Sequence, residues 1–259
     1  MDGELLAWDF EEEHPVDFSR LQKRLGRKKV GPKLQKDVPV AFVAYDMLEW
    51  KSKDIRSSST QERRMLLENE WKSSEPVIRR SICLYPKSWD EAAAYRKQAR
   101  NQHVEGLMLK RNDSEYSAGR KKGKWWKWKV DPYTIDAVLV YAQQGHGRRA
   151  GLYTDYTFSI WKDGDLVPFA KAYSGLSDAE IRQVDQWIRQ NTQEKHGPVR
   201  VVKPELVFEI AFEGISPSKR HKSGIAVRFP RIQRWRRDKA ANDADQLETV
   251  LGLIGATYA

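Results

Sequence analysis

Two lysines set two residues apart, Lys127 and Lys129, stand in the run Lys124-Trp-Trp-Lys-Trp-Lys129. On an extended strand, side chains alternate between faces. Both ammonium groups therefore project to one side, where they can reach one phosphate, while Trp126 and Trp128 take the other. From Arg120 to Lys129 there are six basic residues and no acid; from Lys219 to Lys239 there are nine, against the single acid Asp238. A run of like charge is by default a solvated face. Tryptophans interleaved with the first run and arginines spread through the second favour a phosphate-bearing partner, because guanidinium forks bind phosphate through two parallel donors. Arg228, Arg231, Arg234, Arg236 and Arg237 cannot all serve one face. The loop residues Lys219, Arg220 and Lys222 suit contacts to a nucleic-acid backbone. Histidine offers little: His14, His103, His146, His196 and His221 are scattered, without the i, i+4 pairing of a helical zinc site. A single cysteine, Cys83, excludes an internal disulfide framework and a cysteine-rich zinc site.

The elements that must position these groups follow from the rest of the chain. Its 259 residues are 40% hydrophobic and 32% charged, with 10 Trp, 10 Tyr and 8 Phe, a globular composition and not that of a disordered tail. The net charge of +10 favours polyanionic partners. No apolar stretch is long enough for a membrane span and the acidic start is no signal peptide, so a cytoplasmic protein without membrane contact is expected. Glu4 to Trp8 reads as a buried strand already under way, and a domain seldom begins inside a core strand. Val38 to Tyr45 reads as a second strand, followed by a capped helix from Ser57 to Trp71 and another from Ser88 to about Gln102. Val104 to Lys110 and Lys124 to Lys129 are short strands around a polar loop. At Asp131-Pro132 the texture changes. Five strands (135–141, 152–161, 166–173, 206–212 and 225–231), with a helix from Ser177 between the third and fourth, suggest a Greek-key barrel of OB type. A terminal helix spans Asp243 to Leu253. Gly145-His-Gly-Arg-Arg149 looks like a phosphate-cradling loop, but it follows a barrel strand with no helix behind it, so a flexible turn near nucleic acid is expected.

Four segments in order resemble the ATP-dependent DNA ligases of the covalent nucleotidyltransferase superfamily. They are Asp2-Gly-Glu-Leu-Leu-Ala-Trp-Asp9; Phe42-Val-Ala-Tyr-Asp-Met-Leu48; Glu105-Gly-Leu-Met-Leu-Lys110 with Trp126-Lys-Trp-Lys129; and Arg228-Phe-Pro-Arg-Ile-Gln-Arg-Trp-Arg-Arg-Asp-Lys239. Gln61-Glu-Arg-Arg64 fits the helix that follows the adenine-side strand in these enzymes. The resemblance implies an α+β fold: a partial nucleotidyltransferase (adenylation) domain over residues 1–130, then an all-β OB-fold barrel with a C-terminal helix over 131–259.

The resemblance also assigns roles. Tyr45 occupies the aromatic position that stacks on adenine, and Glu4 contacts ribose or a metal. Glu105 is the ligand of Mg²⁺ or Mn²⁺, which prefers one or two carboxylates plus phosphate oxygens. Lys127 and Lys129 hold phosphate. Arg228, Arg231 and Lys239 belong to a motif that orients the outer phosphates of ATP during adenylation and then turns away so that the barrel clamps DNA. Adenylate transfer moves charge among phosphate oxygens, so positioned cations carry the catalysis. The implied enzyme seals nicks in double-stranded DNA as a monomer, through a lysyl-adenylate and an AMP intermediate on the 5′-phosphate. One departure stands out. The attacking lysine of the family's Lys-x-Asp-Gly motif is absent, and Lys162-Asp163-Gly164 lacks the spacer. The expectation is therefore the C-terminal part of a ligase, without an N-terminal segment carrying that motif and unable to adenylate itself. Two other readings remain open: an RNA ligase or capping-type nucleotidyltransferase, and a non-catalytic OB-type nucleic-acid binding module.

Overall fold

A computed structural model describes residues 1–72, 75–119 and 121–258, with side chains through Leu253. Arg120, part of the first basic run, lies outside the described residues. The chain divides into two compact units, Met1–Val130 and Asp131–Ala259.

In the first unit, strand Asp2–Asp9 pairs antiparallel with Val40–Asp46, and Ile78–Arg80 adds to the far edge of the latter in parallel. The apolar opening strand is not buried on both faces as its composition suggested: Ala7 is buried, but Leu5 is 49% exposed. Two small clusters cover parts of the sheet. Ala7, Leu21 and Val38 form one, and Ala44, Met47, Ile55 and Leu67 the other. Ser59 caps helix Thr60–Met65 through a reciprocal box with Glu62, satisfying two orphan amides at once. That helix is shorter than its hydrophobic pattern predicts, because the last turn continues as a π-helical segment, Leu66–Glu70. Ser88 caps Trp89–Gln98; a 3-10 turn and a left-handed His103 end the helical run. Gly106–Lys110 and Trp125–Lys129 then form an antiparallel hairpin.

The second unit is a curled sheet built on one long strand, Tyr133–Gln144. Its first half pairs with Val207–Phe212; its second half pairs with Tyr153–Lys162 on one side and Val199–Val202 on the other. Tyr153–Lys162 turns at Asp163-Gly164, both at positive φ, into Asp165–Ala172. Phe158, Phe208, Ile210, Phe212, Val184 and Ile188 fill the interior, the last two from helix Asp178–Gln190. Two features depart from the sequence reading. A hairpin, Thr192–His196 with Val199–Val202, follows the helix where no strand was expected. The expected fifth strand, 225–231, is two strands: Ile225–Arg228 pairs with Gly214–Pro217, whereas Arg231–Trp235 pairs with Val207–Phe212. The break falls at Phe229, at φ +52°, and Pro230, which has no amide to donate. The terminal helix begins at Leu247, later than expected, because the Asp245 carboxylate and amide are bound to the backbone of Asp136. Among the described residues no helix is long and apolar enough to cross a membrane.

Candidate functional site

The register of the first sheet sets Glu4 opposite Val43, so Glu4 and Tyr45 share a face. Glu4 is exposed and Tyr45 half-buried. Burial pushes the Tyr45 phenol up to about 12; the Asp2 carboxylate adds to this, and the Glu4 charge acts in the same sense. The Lys110 ammonium lies 4.7 Å from the centre of the Tyr45 ring and 3.9 Å from that of Trp125. It also stands 3.7 Å from the Asp46 carboxylate. Burial pulls the Lys110 pKa down, and Asp46 works against that pull.

Asp46 is held from behind. Arg63, fully buried, donates to both of its oxygens at 2.7 and 3.1 Å. The same guanidinium donates to the carbonyls of Ser58 and Ser114 and to Thr60 Oγ1. Such a pair is justified when every remaining donor finds an acceptor, since losing one partner would leave a charge buried alone. Tyr116, from the polar loop between the hairpin strands, donates to Asp2 at 2.7 Å and packs edge-on against Trp125 at 5.5 Å. One network thus ties strand Val40–Asp46, helix Thr60–Met65, the loop and the hairpin together.

In the hairpin, Gly106 faces Lys129, Met108 faces Lys127 and Lys110 faces Trp125. Lys127, Lys129, Lys110 and Trp125 therefore lie on one face, and Trp126 and Trp128 on the other. Trp128 meets Trp89 edge-on and lies under the Arg96 guanidinium, whereas Trp126 is 48% exposed. Gly106, at φ +140°, allows the close pairing: a Cβ there would stand 2.4 Å from the Trp128 carbonyl oxygen. Glu105 sits just before the strand, with its carboxylate 2.8 Å from Lys129 Nζ. Lys110, Asp46, Arg63 and Tyr116 received no role from sequence. Lys110 ends the quoted Glu105 segment and Arg63 lies in the quoted helix, but nothing local connects either to Tyr45.

In the second unit, Arg231 pairs with Glu213 at 2.9 Å. The guanidinium of Arg228 lies 4.8 Å from the centre of the Phe229 ring. Arg236 and Lys239 both grip one oxygen of the buried Asp136, at 2.7 and 2.6 Å, so Lys239 closes the end of its motif onto the long barrel strand. Because the strand breaks at Phe229-Pro230, Arg228 and Arg231 belong to different strand pairs. Lys219, Arg220 and Lys222 are exposed at the tip of the hairpin formed by Gly214–Pro217 and Ile225–Arg228.

Comparison with known proteins gives concordant matches. Residues 1–129 match the family model described as the ATP dependent DNA ligase domain, and residues 149–239 match the ATP dependent DNA ligase C terminal region. A probable DNA ligase of Koribacter versatilis is 37% identical over 96% of this chain and 46% of its own length. A DNA ligase of Natronomonas pharaonis is 32% identical over 96% of this chain and 44% of its own length. The chain spans about half the length of these relatives or less. Among solved structures, a Lig E DNA ligase described as binding DNA with a minimal scaffold superposes with a TM-score of 0.62 at 21% identity, over 91% of this chain and 76% of its own. A second, named Pmar-Lig_PreS3, gives 0.63 at 18% identity, over 91% and 50%. These two share the fold.

Proposed function

The chain belongs to the ATP-dependent DNA ligase family, and from that premise we propose that it supplies the nucleotide-binding and DNA-clamping part of an enzyme that seals 5′-phosphate/3′-hydroxyl nicks in double-stranded DNA. The observation that carries this reading is the face shared by Lys127, Lys129, Lys110 and Trp125, joined to Tyr45 through the Lys110 ammonium. That arrangement sets an aromatic platform for a base beside cations for its phosphates. Tyr45 stacks on adenine and Glu4 lies on the ribose side. Lys127 and Lys129 neutralise the phosphates, Lys129 exchanging its contact with Glu105 for one with phosphate oxygen.

Family membership implies ATP as the nucleotide and a divalent cation with it. Among the described residues no group of three or more His, Cys, Asp or Glu could hold a metal by itself. A lone Glu105 suits Mg²⁺ or Mn²⁺ arriving with polyphosphate, since such ions keep waters and take one or two carboxylates beside phosphate oxygens. Bound there, the ion would offset charge on those oxygens. Arg228, Arg231 and Lys239 act on the outer phosphates, Arg231 and Lys239 exchanging their contacts with Glu213 and Asp136 for phosphate oxygen, and Lys219, Arg220 and Lys222 act on the DNA backbone. A cytoplasmic location and a monomeric enzyme complete the proposal.

No Lys-x-Asp-Gly occurs among these 259 residues, so the acceptor lysine comes from a segment outside them. Incubation with α-labelled ATP and Mg²⁺ should leave this chain unlabelled, and fusion to the Lys-x-Asp-Gly segment of a relative should yield a lysyl-AMP adduct that seals nicks. A stable adduct on this chain alone, or a fusion that folds but neither labels nor seals, would sink the reading. In the fusion, Lys127→Ala or Lys129→Ala should slow adenylation or sealing by roughly two orders of magnitude, the scale of removing one preorganised charge donor.

A further inference from the structure

The turn Gly145-His-Gly-Arg-Arg149 takes no part in the chemistry above. It is not a loose excursion: Gly147–Arg149 closes as a 3-10 segment. A Cβ on Gly145 would stand 2.2 Å from Thr154 Oγ1, so glycine alone lets this backbone lie so close to strand Tyr153–Lys162. Arg149 is tied at 2.9 Å to Asp178 in the first turn of helix Asp178–Gln190. Beside the turn is a cleft of about 380 Å³ lined by Gly145, His146, Arg149, Thr154, Asp155 and Tyr173. Asp155 pairs with Lys171 at 3.1 Å through one oxygen while its other oxygen is buried without a hydrogen-bond partner among the described residues, and outside the lining Asp178 pairs with Arg149. His146 and Arg148 are exposed on the same turn. Tyr173 directly follows the fully buried Ala172 at the end of a barrel strand, yet it exposes 72% of its surface.

An exposed aromatic ring just beyond a strand end offers a face on which a flat partner can stack. The exposed Arg148 guanidinium on the adjoining turn favours a partner that is also anionic. The cleft lies at the connection between the first two barrel strands, a loop that OB barrels use for oligonucleotides, and its volume suits one nucleotide better than a duplex. We propose that this cleft binds one unpaired nucleotide of single-stranded DNA, with the base stacked on Tyr173 and the phosphate met by His146 and Arg148. The choice of DNA as the polymer rests on the ligase reading. The site adds a hold for an unpaired nucleotide, at a gap or a frayed end, to the duplex contacts of the Lys219–Lys222 loop.

The test measures anisotropy of the full chain with a labelled short oligothymidylate and, separately, with a blunt hairpin duplex. Tyr173→Ala should weaken single-strand binding roughly ten-fold, within the range of removing one base–aromatic stack, and change duplex binding by less than about two-fold. Tyr173→Phe should bind both as the wild type does. His146→Gln with Arg148→Gln should weaken single-strand binding and flatten its salt dependence; should Tyr173→Ala not fold, this double variant decides. Wild-type single-strand affinity in the deciding variant, an equal loss on both DNAs, no single-strand binding by the wild type, or tighter binding of oligouridylate would each overturn the proposal. Absence of duplex binding by the wild type would count instead against the barrel's part in the ligase reading.

Discussion

At the scale of single residues, the side chains that organise the first unit are those to which no spacing rule points. Asp2 shows this best. It accepts from Tyr116, a bond that is the main reason the Tyr116 phenol is pushed up to about 12, and its charge is the second cause, after burial, of the same shift in Tyr45. A phenol raised above its unfolded value of about 10 contributes stability that is complete below pH ~10 and is lost as pH climbs toward ~12. Tyrosinate absorbance should therefore show three phenols of this unit titrating late, Tyr45, Tyr85 and Tyr116, with Tyr95 also raised by its bond to Glu91. In Asp2→Ala, Tyr116 should fall back toward pH ~10, while Tyr45, still buried, should stay high. If both move together or neither moves, the assignment of these causes is wrong.

At the scale of elements, the hairpin carrying Lys127 and Lys129 depends on one glycine for its close pairing. Gly106→Ala would drive a methyl group into the Trp128 carbonyl at a φ of +140°. A cost on the order of 1–3 kcal/mol is expected for such a strained position, together with a shift in tryptophan emission as the hairpin opens. Thermal melting beside fluorescence checks this; an unchanged melt would mean that the pairing tolerates the shift. The caps at Ser59 and Ser88 were readable because a hydroxyl and a carboxylate three residues apart meet within one turn. The split of the expected strand 225–231 was harder to see: Arg228-Phe-Pro-Arg231 is continuous as a motif, and although Pro230 is a strand breaker in the sequence, only Phe229 at positive φ shows where the chain leaves one pair for the other.

At the scale of the whole molecule, a net charge of +10 predicts DNA affinity dominated by counterion release. Duplex binding should fall steeply with salt and show little sequence preference. Changing Lys219, Arg220 and Lys222 to alanine should lower the salt slope by roughly 0.9 for each phosphate that is no longer neutralised. Arg228→Ala and Arg231→Ala should leave that slope nearly intact, because in the proposed function both serve the outer phosphates of the nucleotide and not the DNA backbone. A slope that answers to Arg228 and Arg231 but ignores the loop would mean that the two basic segments exchange roles.

The sequence by itself determined the family, the α+β class and the ordered motif residues from Glu4 to Lys239, because each motif is a short run of residue types whose identity and order are read without knowing which elements they fall on. It also determined that Lys127 and Lys129 share a face, since alternation is a property of any strand. Tertiary structure alone decided that Lys110 lies between Tyr45 and Trp125, that Arg63 backs Asp46, and that Lys239 closes onto Asp136. It decided too that Tyr173 stands exposed beside the Gly145 turn. The physical reason is reach. Periodicity and capping act over a few residues, whereas these interactions join side chains far apart in the chain and are set by strand register and by burial of charge, which no local pattern encodes.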